Sequence, residues 1–276
     1  MRKYLKYAFI ILVTIIAVWP VYWLVIGSFQ DHGGAFTFSS TLIPKNLHLR
    51  NYKAVLSTGY LGRWIFNTGI TVICQSLLTL AIVAPAGMAF GLYDFPGKKI
   101  IFWAFLSTIM IPGGSIIIGK ILVARSLGLT GTWLAAFIPI LFYPVGIFLF
   151  RSFVEEMPKD ILDAARIDGA GEMKILSRIV LPICLPAAGV ILLFVTLGVL
   201  NNYLWQSIVL QKMELKTLLV GMVVNMNDNN ILFGNDVDPL GMKLAAGTIL
   251  LIPSLAIFIA FNRKFIKNLK LGGLTK

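Results

Sequence analysis

Six stretches of this chain carry no charged residue: Tyr7 to Gln30, Trp64 to Tyr93, Ile100 to Gly119, Ser126 to Phe150, Ile179 to Gln211 and Leu244 to Asn262. An α-helix rises about 1.5 Å per residue, so about 20 apolar residues cross a hydrocarbon core about 30 Å thick. Every run reaches that length, the last only just. The pattern therefore predicts an all-α membrane protein with six transmembrane helices at about residues 8–29, 65–93, 100–120, 130–150, 183–207 and 244–262. The whole chain, 1–276, reads as a single membrane domain with one projection, residues 155–182.

Polar and helix-breaking residues place the connections. Asp94-Phe95-Pro96-Gly97 reads as a tight turn between the second and third spans. Pro112-Gly113-Gly114, Pro139, Pro144, Pro186 and Pro253 predict kinks or local unwinding inside spans, which neighbouring groups or water must satisfy. Gly87 and Gly91, four apart, let another helix approach closely. Arg50 to Leu56 fits a short surface helix in the segment 31–63, and 212–243 reads as a polar, solvated loop.

Composition agrees with the pattern: 58% of the 276 residues are hydrophobic and 13% are charged, against about a quarter charged in an average soluble domain. Arg2, Lys3 and Lys6 precede the first run as in a secretion signal, but a signal core holds only about 7–15 apolar residues, so the run reads as a retained span. Lys and Arg concentrate on cytoplasmic segments. With both termini in the cytoplasm, the inner segments hold fifteen of the twenty-four basic residues, and the 155–182 projection is cytoplasmic. Trp23, Trp64, Trp133 and Trp205 fall at outer span boundaries, where an aromatic belt is expected. The net charge of +12 is then a property of basic flanks facing anionic lipid rather than of nucleic-acid binding. Cys74 and Cys184 lie in different spans at different depths and read as packing residues.

The projection concentrates the charge: six of the chain's twelve acidic residues lie in 155–182, together with Lys159, Arg166, Lys174 and Arg178. Pro158 suits the first turn of a helix, with Asp160 and Asp163 near its positive N-terminal end. Ile161, Leu162 and Ala165 form an apolar stripe, and Ala164 and Ala165 leave room for another surface to approach. Gly169 can take the left-handed conformation that stops a helix. A second helix from about Gly171 carries Ile175, Leu176 and Ile179 on one face and Lys174 and Arg178 on another. Pro182 opens the fifth span. Two short helices joined at a glycine make a lever attached to a membrane helix.

Asp163-Ala164-Ala165, three residues, Gly169, nine residues and Ile179-Val180-Leu181-Pro182 resemble the EAA loop of binding-protein-dependent ABC importer permeases. Asp163 for Glu is the one departure. Phe66-Asn67-Thr68, Asn201-Asn202-Tyr203-Leu204-Trp205 and Ala245-Ala246 through Pro253 are similar to elements of the carbohydrate uptake type 1 (maltose-type) permeases. The tail keeps only Leu269 and Gly272 of that family's ending. The resemblance implies that Asp163, Ala164, Ala165, Asp168, Gly169 and Ala170 dock on an ATPase subunit. It also implies a second permease, two ATP-binding cassette subunits, an extracytoplasmic solute-binding protein and a bacterial cytoplasmic membrane. ATP hydrolysis then belongs to another subunit, and neither cofactor nor metal is called for.

Other readings have weaker support. Gly114, Gly119 and Lys120 nearly spell a phosphate loop, but Ile121 stands where a hydroxyl is needed and no strand precedes it. An ion-coupled carrier commonly places ionisable groups within its spans, whereas all twelve acids lie outside the six runs. An intramembrane enzyme would need His32 or His48, which have neither metal nor triad spacing. The solute pathway candidates are Gln75 and Thr71 in the second span and Asn201, Asn202, Tyr203 and Gln206 late in the fifth. Amides and aromatic rings suit sugars, so an oligosaccharide is the expected solute. A glycerol phosphodiester, another polyol and, more remotely, an amino acid or a phosphonate are the alternatives.

Overall fold

The computed structural model describes residues 2–30, 47–138, 141–227 and 238–272, with side chains from Lys3 to Phe261 within them except at 226 and 227. In chain order the helices are α1 (Arg2–Gly27), α2 (Arg50–Leu56), α3 (Leu61–Leu92), α4 (Lys98–Ser107), α5 (Ile117–Ser126), α6 (Leu134–Phe137) and α7 (Pro144–Glu155). They continue with α8 (Lys159–Ile167), α9 (Glu172–Ile175), α10 (Leu181–Ile183), α11 (Leu185–Leu200), α12 (Tyr203–Val209), α13 (Leu218–Asn227) and α14 (Pro239–Gly272). No β-strand occurs among the described residues. The chain forms two compact units, residues 1–65 with 218–256 and residues 66–217 with 257–276.

Among the described residues, three helical segments are long and apolar enough to cross a membrane: Lys3–Gly27, Leu61–Leu92 and Pro239–Phe261. A fourth follows if Glu172–Ile183 and Leu185–Leu200, bent by 82°, count as one span. The other two apolar runs are not continuous helices. The run at 100–120 passes from α4 through a 3-10 turn, Thr108–Met110, into extended backbone at Ile111. Pro112 lacks an N–H, and Gly113 and Gly114 have low helix propensity, so helix resumes only at Ile117. In the run at 130–150, Tyr143 leaves the helical region ahead of Pro144, which disfavours helix in the residue before it, and Pro144 opens α7. Pro253 lies inside α14. The predicted break at Pro139 falls outside the described residues.

In the first unit α1 holds no buried residue within its apolar window. Its C-terminal end is tied down instead. Asn51 on α2 donates from Nδ2 to the carbonyls of Ser28 and Gln30, each at 3.0 Å, and the hydroxyls of Ser28 and Tyr52 lie 2.6 Å apart. α2 has the bounds that the sequence predicts. Asp238 caps α14 by accepting from the N–H groups of Leu240 and Gly241, with Pro239 at the first helical position. Of the segment 212–243, residues 228–237 lie outside the described residues, and the rest is not the solvated loop expected. It contains α13, whose Leu218, Val220 and Met222 are buried. Trp64 is fully buried, with Gly221 against its ring, and in the second unit Trp205 is 4% exposed. These two indoles are core residues and not part of a surface belt.

The second unit carries the main core: Val83, Phe90, Phe102, Ile147, Phe150, Val154, Leu162, Ile175, Val180 and Ile191 belong to one buried cluster. Residues of α8 and α9 share it with α3, α7 and α11, so the charged loop is packed onto the helices rather than swinging free. Phe90 sits among Phe95, Phe102 and Phe105 at 5.3–5.8 Å between ring centroids, and the Arg151 guanidinium lies 4.0 Å from the Phe102 ring centre.

Candidate functional site

The loop from Glu155 to Pro182 forms two short helices, α8 and α9, joined at Gly169. Pro158 is the extended N-cap of α8, and Asp160 lies in the first turn. Asp163, the helix's fifth residue, is beyond the reach of the N-terminal dipole and instead lies 3.5 Å from Arg166. Leu162 is buried and Ala165 half-buried against the core, leaving Asp160, Ile161, Asp163, Ala164 and Ile167 facing outward. α8 stops in a Schellman motif: the Gly169 N–H bonds the Arg166 carbonyl at 3.0 Å, and the Ala170 N–H bonds Ala165 at 2.9 Å. Gly169 has φ +76°, the left-handed region where a β-carbon is costly. Of the six residues marked by the sequence, Asp163, Ala164, Asp168 and Gly169 are exposed, and Ala165 and Ala170 are half-buried.

Beyond the turn, Gly171 caps α9, and Ile175 is fully buried while Lys174 and Arg178 are exposed. The helix then widens to a π-helical stretch, Leu176–Val180. Pro182 explains this: it cannot donate to the Arg178 carbonyl, and its ring would clash there in an ordinary turn. Pro186 stands at the second position of α11, and the chain bends at Cys184 into that helix. Ile167 and Met173, on either side of the glycine turn, are 86% and 75% exposed.

Three side chains outside the sequence-marked set fasten this loop to the end of α3. Tyr93 donates its hydroxyl to Glu172. Arg166 lies 3.4 Å from the Tyr93 hydroxyl and 3.5 Å from the Glu172 carboxylate, with its guanidinium 5.7 Å from the Tyr93 ring centre. The hydrogen bond to Tyr93, together with the charge of Glu172, holds the Arg166 pKa above its ordinary value. Beneath it, a cleft of about 360 Å³ is lined by Gly91, Asp94, Lys98, Glu155, Lys159 and Asp163 among others.

The Gly87–Gly91 pair supports the same region. A β-carbon on Gly87 would lie 2.9 Å from Phe150, and one on Gly91 would lie 2.7 Å from Val154. The two glycines therefore form a notch on α3 into which α7 seats.

The polar pathway candidates are placed differently. α11 ends at Leu200, Asn201 and Asn202 form the break, and Tyr203 opens α12. Asn201 is exposed, its Nδ2 bonded to the Leu197 carbonyl, and Tyr203 is 37% exposed. Gln206 is fully buried, donating to Val199 and accepting from Thr217 at 2.5 Å. Thr71 bonds back to the Asn67 carbonyl, and Asn67 itself donates to the carbonyls of Glu214 and Lys216. Gln75 is buried, and its side-chain oxygen accepts no hydrogen bond from the described residues. No group of three His, Cys, Asp or Glu able to hold a metal occurs among the described residues.

Residues 68–270 match the family described as "Binding-protein-dependent transport system inner membrane component". The chain belongs to that family. It is 31% identical to the arabinooligosaccharides transport system permease protein AraQ of Halalkalibacterium halodurans over 265 residues, covering 95% of this chain and 92% of that protein. It is 29% identical to AraQ of Bacillus subtilis, covering 96% and 93%. Its fold resembles a chain in the crystal structure of a bacterial ABC transporter involved in the import of the acidic polysaccharide alginate, with TM-score 0.83, 19% identity and 95% and 96% coverage.

The family match takes in the lever, the glycine notch and the Asn201–Asn202 break. For this inner-membrane transport component, the sequence pattern located the lever and its glycine. It missed Tyr93 and Glu172, whose opposite number Arg166 is visible in the sequence only as a cation three residues before Gly169. The signal was the symmetry of Arg166 and Glu172, at minus and plus three from the turn, which becomes informative once Gly169 is known to reverse the chain.

Proposed function

We propose that this chain is a permease subunit of an ATP-driven ABC importer. It crosses the cytoplasmic membrane six times, with both termini and the 155–182 loop in the cytoplasm. The broken runs at 100–120 and 130–150 serve as spans with interrupted helices, as a membrane tolerates where neighbours satisfy the backbone. It pairs with a second, similar permease, two ATPase subunits and an extracytoplasmic binding protein. The observation that carries this reading is the lever: a rigid α8–Gly169–α9 unit, anchored through Leu162 and Ile175 and presenting Ala164, Ile167 and Met173 outward. Asp163, Ala164, Ala165, Asp168, Gly169 and Ala170 form the docking side. Closure of the ATPase pair presses on α8 and tilts the spans between inward- and outward-open states.

The solute we propose is an oligosaccharide, because two relatives, 31% and 29% identical, are named for arabinooligosaccharides and a third, 29% identical, for galactooligosaccharides. Asn201, Asn202 and Tyr203 are its candidate contacts, and Gln206 serves the pathway by holding Thr217. Gln75 offers a buried acceptor with no donor among the described residues. The test is uptake of labelled arabinotriose by cells carrying or lacking this chain. ATP-dependent accumulation that disappears with the chain supports the assignment, and accumulation that persists in depolarised, ATP-depleted cells overturns it.

A further inference from the structure

The lever's outward face explains how a partner is engaged, but not how its movement reaches the membrane helices. Three groups bridge that gap. Tyr93 is the first residue after α3, Arg166 is in α8, and Glu172 opens α9 across the Gly169 turn. Their mutual contacts close a triangle: Tyr93 hydroxyl to Glu172 carboxylate, Arg166 to Tyr93 at 3.4 Å, and Arg166 to Glu172 at 3.5 Å. Arg166 is shared, because Asp163 on its other side is also 3.5 Å away. All three groups are partly open to solvent, and exposed ion pairs stabilise a fold by only about 0–1 kcal/mol. Anchoring is already provided by buried Leu162, Ile175 and Val180. A stability role therefore leaves the triangle with little to do.

We propose that Tyr93, Arg166 and Glu172 act as positioning residues, a clamp that transmits displacement of the lever to the end of α3. The clamp closes the two arms of the lever onto each other, so they move as one body. It then passes that movement to the helix whose Gly87–Gly91 notch seats α7. The inference rests on the importer reading.

The test uses the complete transporter, co-purified with its partner subunits and binding protein and reconstituted in liposomes, with arabinotriose as probe. Uptake and ATP hydrolysis are measured for the wild type, Tyr93→Phe, Glu172→Gln, Arg166→Lys and the exchanged pair Arg166→Glu with Glu172→Arg. The clamp predicts that Tyr93→Phe and Glu172→Gln lower uptake per ATP about fivefold or more, the scale of losing a charge-assisted hydrogen bond. ATP hydrolysis stays within about twofold, well below that scale. Arg166→Lys falls between wild type and these variants, and the exchanged pair regains uptake relative to either of its single substitutions. Uptake and hydrolysis that fall in a fixed ratio, or that stay unchanged, overturn the clamp. A wild-type complex with no ATP-dependent uptake overturns the importer reading instead, whatever the variants do.

Discussion

At the scale of single residues, two glycines carry sharp expectations for different reasons. Gly169 has open space around the position of a β-carbon, but its φ of +76° excludes comfortable substitution. Gly169→Val puts a β-branched side chain in the left-handed region at a cost of about 1–2 kcal/mol or more, and it opposes the Schellman closure. The expected outcome is a protein that inserts and assembles but hydrolyses ATP without matching uptake, while Gly169→Asn retains more coupling because Asn tolerates that conformation. Gly91 is the reverse case, with ordinary backbone and no room. Gly91→Ala should destabilise by about 1–3 kcal/mol through overpacking against Val154. Thermal unfolding in detergent measures this, and Val154→Ala in the same chain should recover part of the loss. Full stability of Gly91→Ala alone would mean that α7 does not seat in the notch.

At the scale of elements, α8 separates a packed face from an exposed one. Leu162 is 2% exposed and Ile167 is 86% exposed on the same short helix. Leu162→Ala should cost about 2–4 kcal/mol of stability, as other buried Leu truncations do. Ile167→Glu should leave the unfolding temperature nearly unchanged and weaken recovery of the ATPase partner. The lever was legible in the sequence because Pro158, Gly169 and the apolar positions 162, 165, 175 and 179 each act locally. The broken runs were less legible, since Pro112 and Pro144 announce a break without saying how many residues it consumes. The helix α13 was hidden by its polar neighbours: Asn and Asp after Asn225 outweigh Leu218, Val220 and Met222 when the window is read as one segment. Trp64 and Trp205 were misjudged because an indole at a span boundary suits a lipid headgroup or a tight packing site equally well. Burial against Gly221 and the hydrogen bond from Trp205 to the Ala135 carbonyl decide it.

At the scale of the whole molecule, the second unit joins the α8–Gly169–α9 loop, a shared apolar core and a polar break at the end of α11 in one body. α1 exposes its apolar surface from Tyr4 to Tyr22. Such a surface needs lipid or protein around it, in keeping with a subunit of a membrane assembly. At the α11–α12 break, Tyr203→Ala should raise the half-saturating solute concentration with little change in the rate of ATP hydrolysis, if its ring stacks on the sugar. An unchanged uptake curve would remove Tyr203 from the pathway.

The most direct measurement is purification of the tagged chain in mild detergent, followed by identification of its partners, for wild type and for Ala164→Glu. Recovery of an ATPase and a second permease with wild type, and loss of the ATPase with Ala164→Glu, is the result predicted. A chain recovered alone that moves solute into liposomes without ATP would contradict the account.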